Sequence, residues 1–578
     1  MTPRVMPRSK ALKPVCEGFL IRVGAHGAGR HAGRRALEAR VKKIVRRHLS
    51  GSWQVTAIGK GSAYCEVRPR RRRPLSLSSA WETVHRLKRD RDVAAAEPAL
   101  TLQGIMPDPE LFRRQLTRKE AARAKSGGGG RHLPGSNHPE WSLERAGIKR
   151  AWAMALPAHG EGRRFGEGIV VGHPDTGYTL HPEIWNNPGG WQRVRSHSGY
   201  DFVDEKAYPV DPLVEPHPSH GTKTASVIMS DAGIATGGDQ WVSGAAPMAT
   251  LIPYRVIRSV VVFNFANVAK AIHRAVDTGC HVISMSLGGP LASGALEDAV
   301  RYAVESDVIV LAAAGNVWPW VVYPAKLDRV IAVAASNCSD RPWGQSASGD
   351  AVDVTAPGES VWRAETRKDA PRPFALGRGS GTSFAVATAA GITALWLAYH
   401  GRRRLIRRFG PGNLVAVYKE LLTTKGVRRP AGWDTEKYGA GIIDAEKLLA
   451  APLPESPPAK GVAGTSKRAL ARRARGSVMA DIDDFFPGVP PARVRVVLAQ
   501  ALRTRDDALD GLLAELGDEV LFHVATSTEY RDLLQRRALG IRFGARTRGA
   551  GKARAKSRGV TTALPGEASP SLRKRIAR

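Results

Sequence analysis

Cysteine is scarce in this chain, with four in 578 residues: Cys16, Cys65, Cys280 and Cys338. So few, so widely spaced, form no disulfide framework, and none stands at zinc-ligand spacing. Long apolar runs are also missing. Nowhere do 18 apolar residues follow one another, so no membrane span is expected. The apolar stretch from Val15 to Ile21 is interrupted by Glu17 and stops at Arg22, too short for the core of a signal peptide. A reducing, cytoplasmic setting is therefore the expectation. Acidic residues are the third shortage: 53 Asp and Glu against 87 Lys and Arg leave a net charge of +34. That balance would suit nucleic acid or anionic membrane. No reader motif and no basic stripe interleaved with aromatics accompanies it, so nucleic acid is not the expected partner. Gly (60) and Pro (38) are too few for a low-complexity chain, while 43% apolar and 24% charged residues are ordinary for a globular one.

Residues 1–115 read as a front unit of alternating strands and helices. GFLIRV reads as a strand, and Arg34–Arg47 as a helix with Leu37, Val41, Ile44 and Val45 on one stripe. WQVTAI and AYCEVRP are strands joined by a Gly-containing turn, SLSSAWETVHRLKRD is a second helix with Ser capping chemistry, and AAAEPALTL is a closing strand. This βαββαβ order is ferredoxin-like. The run Arg70–Arg73 is read as a solvated turn. Residues 116–140, with Gly127–Gly130, are a linker. From 141 to 452, short Val- and Ile-rich strands (GIVVGHP, ATLIPYRVI, HVISMSL, DVIVLAAA, VIAVAAS) alternate with helical stretches such as NFANVAKAIHRAVDTG. Such alternation argues for an α/β domain, a parallel sheet with helices on both faces. A second linker, 453–478, precedes a small helical region at 479–537. There Val494, Val497, Leu498, Ala501 and Leu502 repeat at helical spacing, as do Leu509, Leu512, Leu513 and Leu516, then Tyr530, Leu533 and Leu534. The basic, Gly/Ala-rich tail 538–578 is expected to be disordered.

Four segments of the α/β region carry chemistry. GHPDTGYTLHP sets Asp175 just past an apolar strand, where ligands bind in open parallel sheets. SHGTKTASVI has His220 opening a helix, VIVLAAAGN ends a buried strand on Asn316, and GRGSGTSFAVATAAG begins an apolar helix at Ser383. A serine hydroxyl becomes a nucleophile when an imidazole takes its proton, and the imidazole needs a buried carboxylate to hold its tautomer. Asp175, His220 and Ser383 supply those groups in that chain order. The Asn316 side-chain amide and the Ser383 N–H would stabilise the oxyanion of a tetrahedral intermediate, aided by the helix start. Singly, each segment has an ordinary reading: a loop carboxylate, a chance His, a strand end, an N-cap. Together and in order they form one constellation.

The DTG, HGT, AAAGN and GTS segments resemble the motifs of the subtilisin-like serine peptidases, the subtilases. VSGAAPMATLIPYRVI, SMSLGG, VTAPG, YGAGIIDAEKLL and the entry WSLERAGIKRAW extend the resemblance over roughly residues 141–452. It implies a serine endopeptidase acting on protein or peptide through an acyl-enzyme. It also implies that residues 1–115 are a prodomain-like unit, acting as folding chaperone and intramolecular inhibitor. Ser286, Leu287, Gly288 and Gly289 would then offer an edge to which substrate adds as a strand. Ala314 and Gly315 would form the other wall of the primary pocket, and Val317 places no charge there, implying an uncharged preference. Two departures stand out: Ala387 lies where the family commonly has Pro, and WGQSASG (Trp343–Gly349) replaces an FSSRG-like segment. No acidic cluster matches a calcium loop, so neither metal nor other cofactor is expected. The helical region reads as an adaptor for a protein partner. The alternative is a catalytically silent scaffold on the same fold.

Overall fold

A computed structural model describes residues 13–24, 33–71, 74–103, 134–185, 193–230, 242–370, 373–458, 477–486, 488–538 and 568–577. The Gly127–Gly130 linker, Arg72 and Arg73, most of the 453–478 linker and residues 539–567 of the basic tail lie outside them. The chain forms two compact units. One comprises Met1–Lys13, Ala57–Ala63 and Gln103–Ser466; the other comprises Pro14–Thr56, Tyr64–Leu102 and Lys467–Arg578.

The larger unit is built on a nine-stranded sheet, with helices packed against it. Its strands are β5 (Val170–Asp175), β6 (Tyr200–Asp201), β7 (Thr250–Arg255), β8 (Val282–Met285), β9 (Ile309–Ala313), β10 (Ile331–Ser336), β11 (Val354–Pro357), β14 (Val427–Arg428) and β15 (Ile442–Ile443). The spatial order is β14-β15-β11-β10-β9-β8-β5-β7-β6, parallel except for β14 against β15. Residues of β5, β7, β8, β9 and β10 are buried throughout. That explains why these strands read as continuous apolar runs rather than alternating ones. A separate hairpin pairs β12 (Val361–Thr366) with β13 (Phe374–Gly379). The helix Thr382–His400 is apolar and long enough to cross a membrane by composition alone, but 94% of that window is buried within the protein. It is a core helix.

The smaller unit has the ferredoxin-like arrangement expected from its pattern. Strands β1 (Lys13–Val23), β2 (Trp53–Ala57), β3 (Tyr64–Pro69) and β4 (Val93–Gln103) order as β2-β3-β1-β4. Helix α1 (Arg34–His48) buries Leu37, Val41, Ile44 and Val45, and helix α2 (Leu77–Lys88) starts where Ser76 Oγ accepts from the Ser79 N–H. The division drawn from sequence is revised in one respect. Pro14–Thr56 and Tyr64–Leu102 share a single unit with the helical region, in which α2 and the helix Leu509–Thr526 share buried side chains. The expectation of a disordered tail is corrected at its end. Pro570–Ala577 is helical, with Ala568, Ser569 and Leu572 buried. Apolar burial and a carboxylate anchor order this short stretch despite its basic composition.

That anchor is Glu519, which has no exposure to solvent. It accepts from Ser569 N–H at 2.6 Å and Ser569 Oγ at 2.8 Å, and it meets His85 Nε2 at 2.7 Å and His523 Nε2 at 3.5 Å. Burial by itself would raise its pKa; the hydrogen bonds from His523, His85 and Ser569 overcome this and bring it down to about 2. The folded value lies below the ordinary 4.5, so the stability it contributes is complete above pH 4.5 and drains away as pH falls toward about 2. Calorimetry of the Ser383→Ala chain should show the smaller unit losing melting temperature across that window. Glu519→Gln should flatten the loss, and parallel curves for parent and variant would refute the assignment.

Candidate active site

The site grows from the carboxyl ends of parallel strands. Strand β5 ends on Asp175, which is fully buried, and the next turn carries Thr176 and Gly177. The helix His220–Met229 approaches so closely that a Cβ at Gly221 would lie 2.0 Å from Gly177 O. The two motif glycines are therefore a steric requirement for bringing the two loops together. Thr176 joins them as well: its Oγ1 accepts from Gly221 N–H at 3.0 Å and donates to Asp211 at 2.6 Å.

His220 Nδ1 then lies 2.7 Å from Asp175 Oδ1. The same oxygen accepts Thr176 N–H at 2.7 Å, while Thr224 Oγ1 is 3.4 Å from Oδ2. Burial would raise the Asp175 pKa, but the His220 imidazole, through its charge when protonated and its hydrogen bond, and the Thr176 N–H hold it below the usual range. Asp175 is therefore an anion, and a ring held at Nδ1 by an anion presents Nε2 as a proton acceptor. His173, two residues before Asp175 and buried, is kept neutral by burial and meets Thr224 Oγ1 at 3.0 Å. Burial, then His220, also pushes His217 down to about 4.

The second half of the site surrounds the start of the Thr382–His400 helix. Thr382 donates twice to Asn316 Oδ1, from its N–H at 2.9 Å and its Oγ1 at 2.7 Å. Its Oγ1 also accepts the Gly315 N–H at 3.2 Å. With Oδ1 committed, Asn316 has its Nδ2 amide hydrogens to offer. A Cβ placed on Gly381 would sit 3.4 Å from Asn316 Nδ2 and 3.6 Å from Ser383 N. Gly381 thus leaves open a spot that both donors border, and a first-turn N–H such as that of Ser383 has no intrahelical acceptor. Ser383 is 6% exposed and His220 9%. The two helices that carry them pack together: a Cβ at Gly391 would lie 3.1 Å from Ile228 O.

The expected substrate-binding segments are adjacent to this half. Ser286 Oγ donates to Ser383 O at 3.0 Å, Leu287 is buried, and Ala314 is fully buried at the end of β9. The open edge anticipated at Ser286–Gly289 is already partly occupied. Gly288 N–H donates to Val260 O and Gly288 O accepts from Val262 N–H, each at 2.9 Å; Gly289 exchanges both of its bonds with Tyr323, also at 2.9 Å. An added strand would have to displace these neighbours, since each N–H donates once. Ala387 is fully buried and retains the helical N–H that a Pro would lack. Among the described residues His138, Glu140 and Glu144 bring ligand atoms within 4.8 Å of one another, although Lys149 Nζ already pairs with Glu140 at 2.5 Å. Sequence reasoning passed over Thr176, Thr224, Gly381 and Thr382. Their signal was present: each lies inside a motif or one helical turn beyond it.

The Subtilase family model matches residues 166–440. The chain is 34% identical over 239 residues to thermitase of Thermoactinomyces vulgaris, covering 41% of this chain and 77% of thermitase. It is 34% identical over 260 residues to subtilisin E of Bacillus subtilis (strain 168), covering 44% of this chain and 61% of that relative, somewhat under two thirds. In fold it is similar to fervidolysin from Fervidobacterium pennivorans, described as a keratinolytic enzyme related to subtilisin. The TM-score is 0.51 at 20% identity, over 78% of this chain and 63% of that one. With an α/β sheet of subtilisin type and relatives that are themselves serine peptidases, the chain belongs to the subtilase family and is a serine-type endopeptidase.

Proposed function

We propose that this chain cleaves peptide bonds through Asp175, His220 and Ser383, with Asn316 and the Ser383 N–H receiving the oxyanion. The observation that carries the reading is the 2.7 Å bond between His220 Nδ1 and the buried anion Asp175. In this mechanism His220 Nε2 takes the Ser383 proton as Oγ attacks the scissile carbonyl carbon, then returns it to the departing amine. Water reverses the sequence on the acyl-enzyme. Asp175 stays ionised throughout and stabilises the imidazolium. Asn316 contributes a donor whose direction is set before substrate arrives, because Thr382 holds its Oδ1. A donor fixed in advance costs nothing to reorient when charge develops.

Substrate is a protein or peptide, entering beside Ser286–Gly289 and Ala314–Gly315 with an uncharged side chain in the primary pocket. Entry requires the Val260–Val262 segment to yield its bonds to Gly288. The ferredoxin-like unit acts as an intramolecular inhibitor, and the setting is cytoplasmic.

Fluorophosphonate labelling of wild type beside Ser383→Ala tests the nucleophile. Label on wild type alone is expected; equal labelling of both would refute the assignment. Asn316→Ala should lower kcat by about 10²–10³, the cost known for removing this type of donor in a subtilisin, with the melting temperature retained. An unchanged kcat would remove Asn316 from the mechanism. Gly381→Ala is a sharper test of the open spot. The added methyl makes only ordinary contacts at 3.4 and 3.6 Å, so the protein should fold, yet it should lose turnover comparably by filling the place between the donors. Full activity in a folded Gly381→Ala protein would put the oxyanion elsewhere.

A further inference from the structure

Helix α2 buries more than its own sheet can cover. Leu77, Ala80, Val84 and Leu87 form one buried stripe at helical spacing, the face a βαββαβ unit packs inward. A second stripe runs beside it. Trp81 and His85 are each 2% exposed, yet both are large and carry polar atoms. Residues more than 400 positions away in the sequence cover them. The Trp81 ring lies 5.8 Å from Phe522, and His85 meets Glu519.

The contacts continue along the helix. Ser78 Oγ donates to Ala568 O at 3.1 Å, Ser571 N–H and Oγ donate to the two oxygens of Glu82 at 2.9 Å, and Lys88 pairs with Asp518 at 2.6 Å. Glu519 is the knot. It is buried and bound at once by α2, by its own helix and by Ser569, so the departure of α2 or of the Ser569 segment removes partners from one buried carboxylate.

We propose that the helical region is the docking partner of the ferredoxin-like unit, a grip that keeps this unit attached to the enzyme once the chain between residues 103 and 134 is cut. The region thereby acquires a job besides packing: it tethers an inhibitor-type fragment, which rebinds as an intramolecular partner instead of diffusing away. The grip itself does not depend on catalysis, and its test is made on an inactive chain.

The test uses full-length Ser383→Ala protein with specific protease sites placed in residues 104–133 and 459–476. After both cuts, native mass spectrometry reports which fragments travel together. A complex containing the front and the helical fragments is expected, with or without the peptidase fragment. Front fragment found only with the peptidase fragment, beside free helical fragment, would overturn the proposal. In the three-part case Glu519→Lys should release the helical fragment alone, and survival of the complex in that variant would also overturn it. Should Glu519→Lys fail to fold, the exposed pair serves instead. Lys88→Glu should weaken retention about fivefold and Asp518→Lys should restore it in the double variant. Retention unaffected by Lys88→Glu would count against this interface.

Discussion

Thr382 ties the end of the candidate site around Ser383 together. Its N–H and hydroxyl both donate to Asn316 Oδ1, and the same hydroxyl accepts from Gly315. One side chain thereby joins the end of β9 to the start of the helix that presents Ser383. The rest of that helix is buried almost all round, so its position is set by the core and not by the loop before it. Small residues make this possible: Ala385, Ala387, Ala389, Ala390 and Gly391 let neighbouring elements approach closely. The Asp175–His220 half is joined just as tightly, through Gly177, Gly221 and the Thr176 hydroxyl. Preorganisation is thus bought by the core.

The smaller unit follows a different logic. A four-stranded sheet with two helices has little core of its own, and small domains bury a low fraction of their surface. Here α2 gains a second covered face from the helix Leu509–Thr526 and the segment around Ser569. A buried, multiply bonded carboxylate adds little net stability compared with apolar packing, but it is unforgiving of a missing partner. Glu519 thus joins the two distant parts of the chain through His85 on one side and Ser569 on the other, with His523 beside it.

Much of this was legible in the sequence, element by element. Val and Ile runs marked β5, β7, β8, β9 and β10, and burial on both sheet faces is the reason those runs do not alternate. Asp175, His220, Asn316 and Ser383 could be picked out as candidates because their segments set polar groups at or just past the ends of strands and at the starts of helices. Helical stripes from Val494 to Leu534 were equally plain. Other features had no local signal. Glu519 and Ser569 look like ordinary polar surface residues, and the Gly288 and Gly289 backbone looks like an open edge.

The reason lies in the range of the forces. Periodicity and capping are set by neighbours a few residues away, so the sequence by itself determined where strands and helices form and which polar residues lie at their ends. Pairing is set by partners brought close only after folding. The tertiary structure alone decided that His85 meets Glu519 across 434 positions, and that Thr382 rather than another hydroxyl aims Asn316. It also decided that Val260 and Val262 occupy the N–H and C=O of Gly288. A hydrogen bond is satisfied by any donor in reach, and reach is a property of the packed core, not of the chain order.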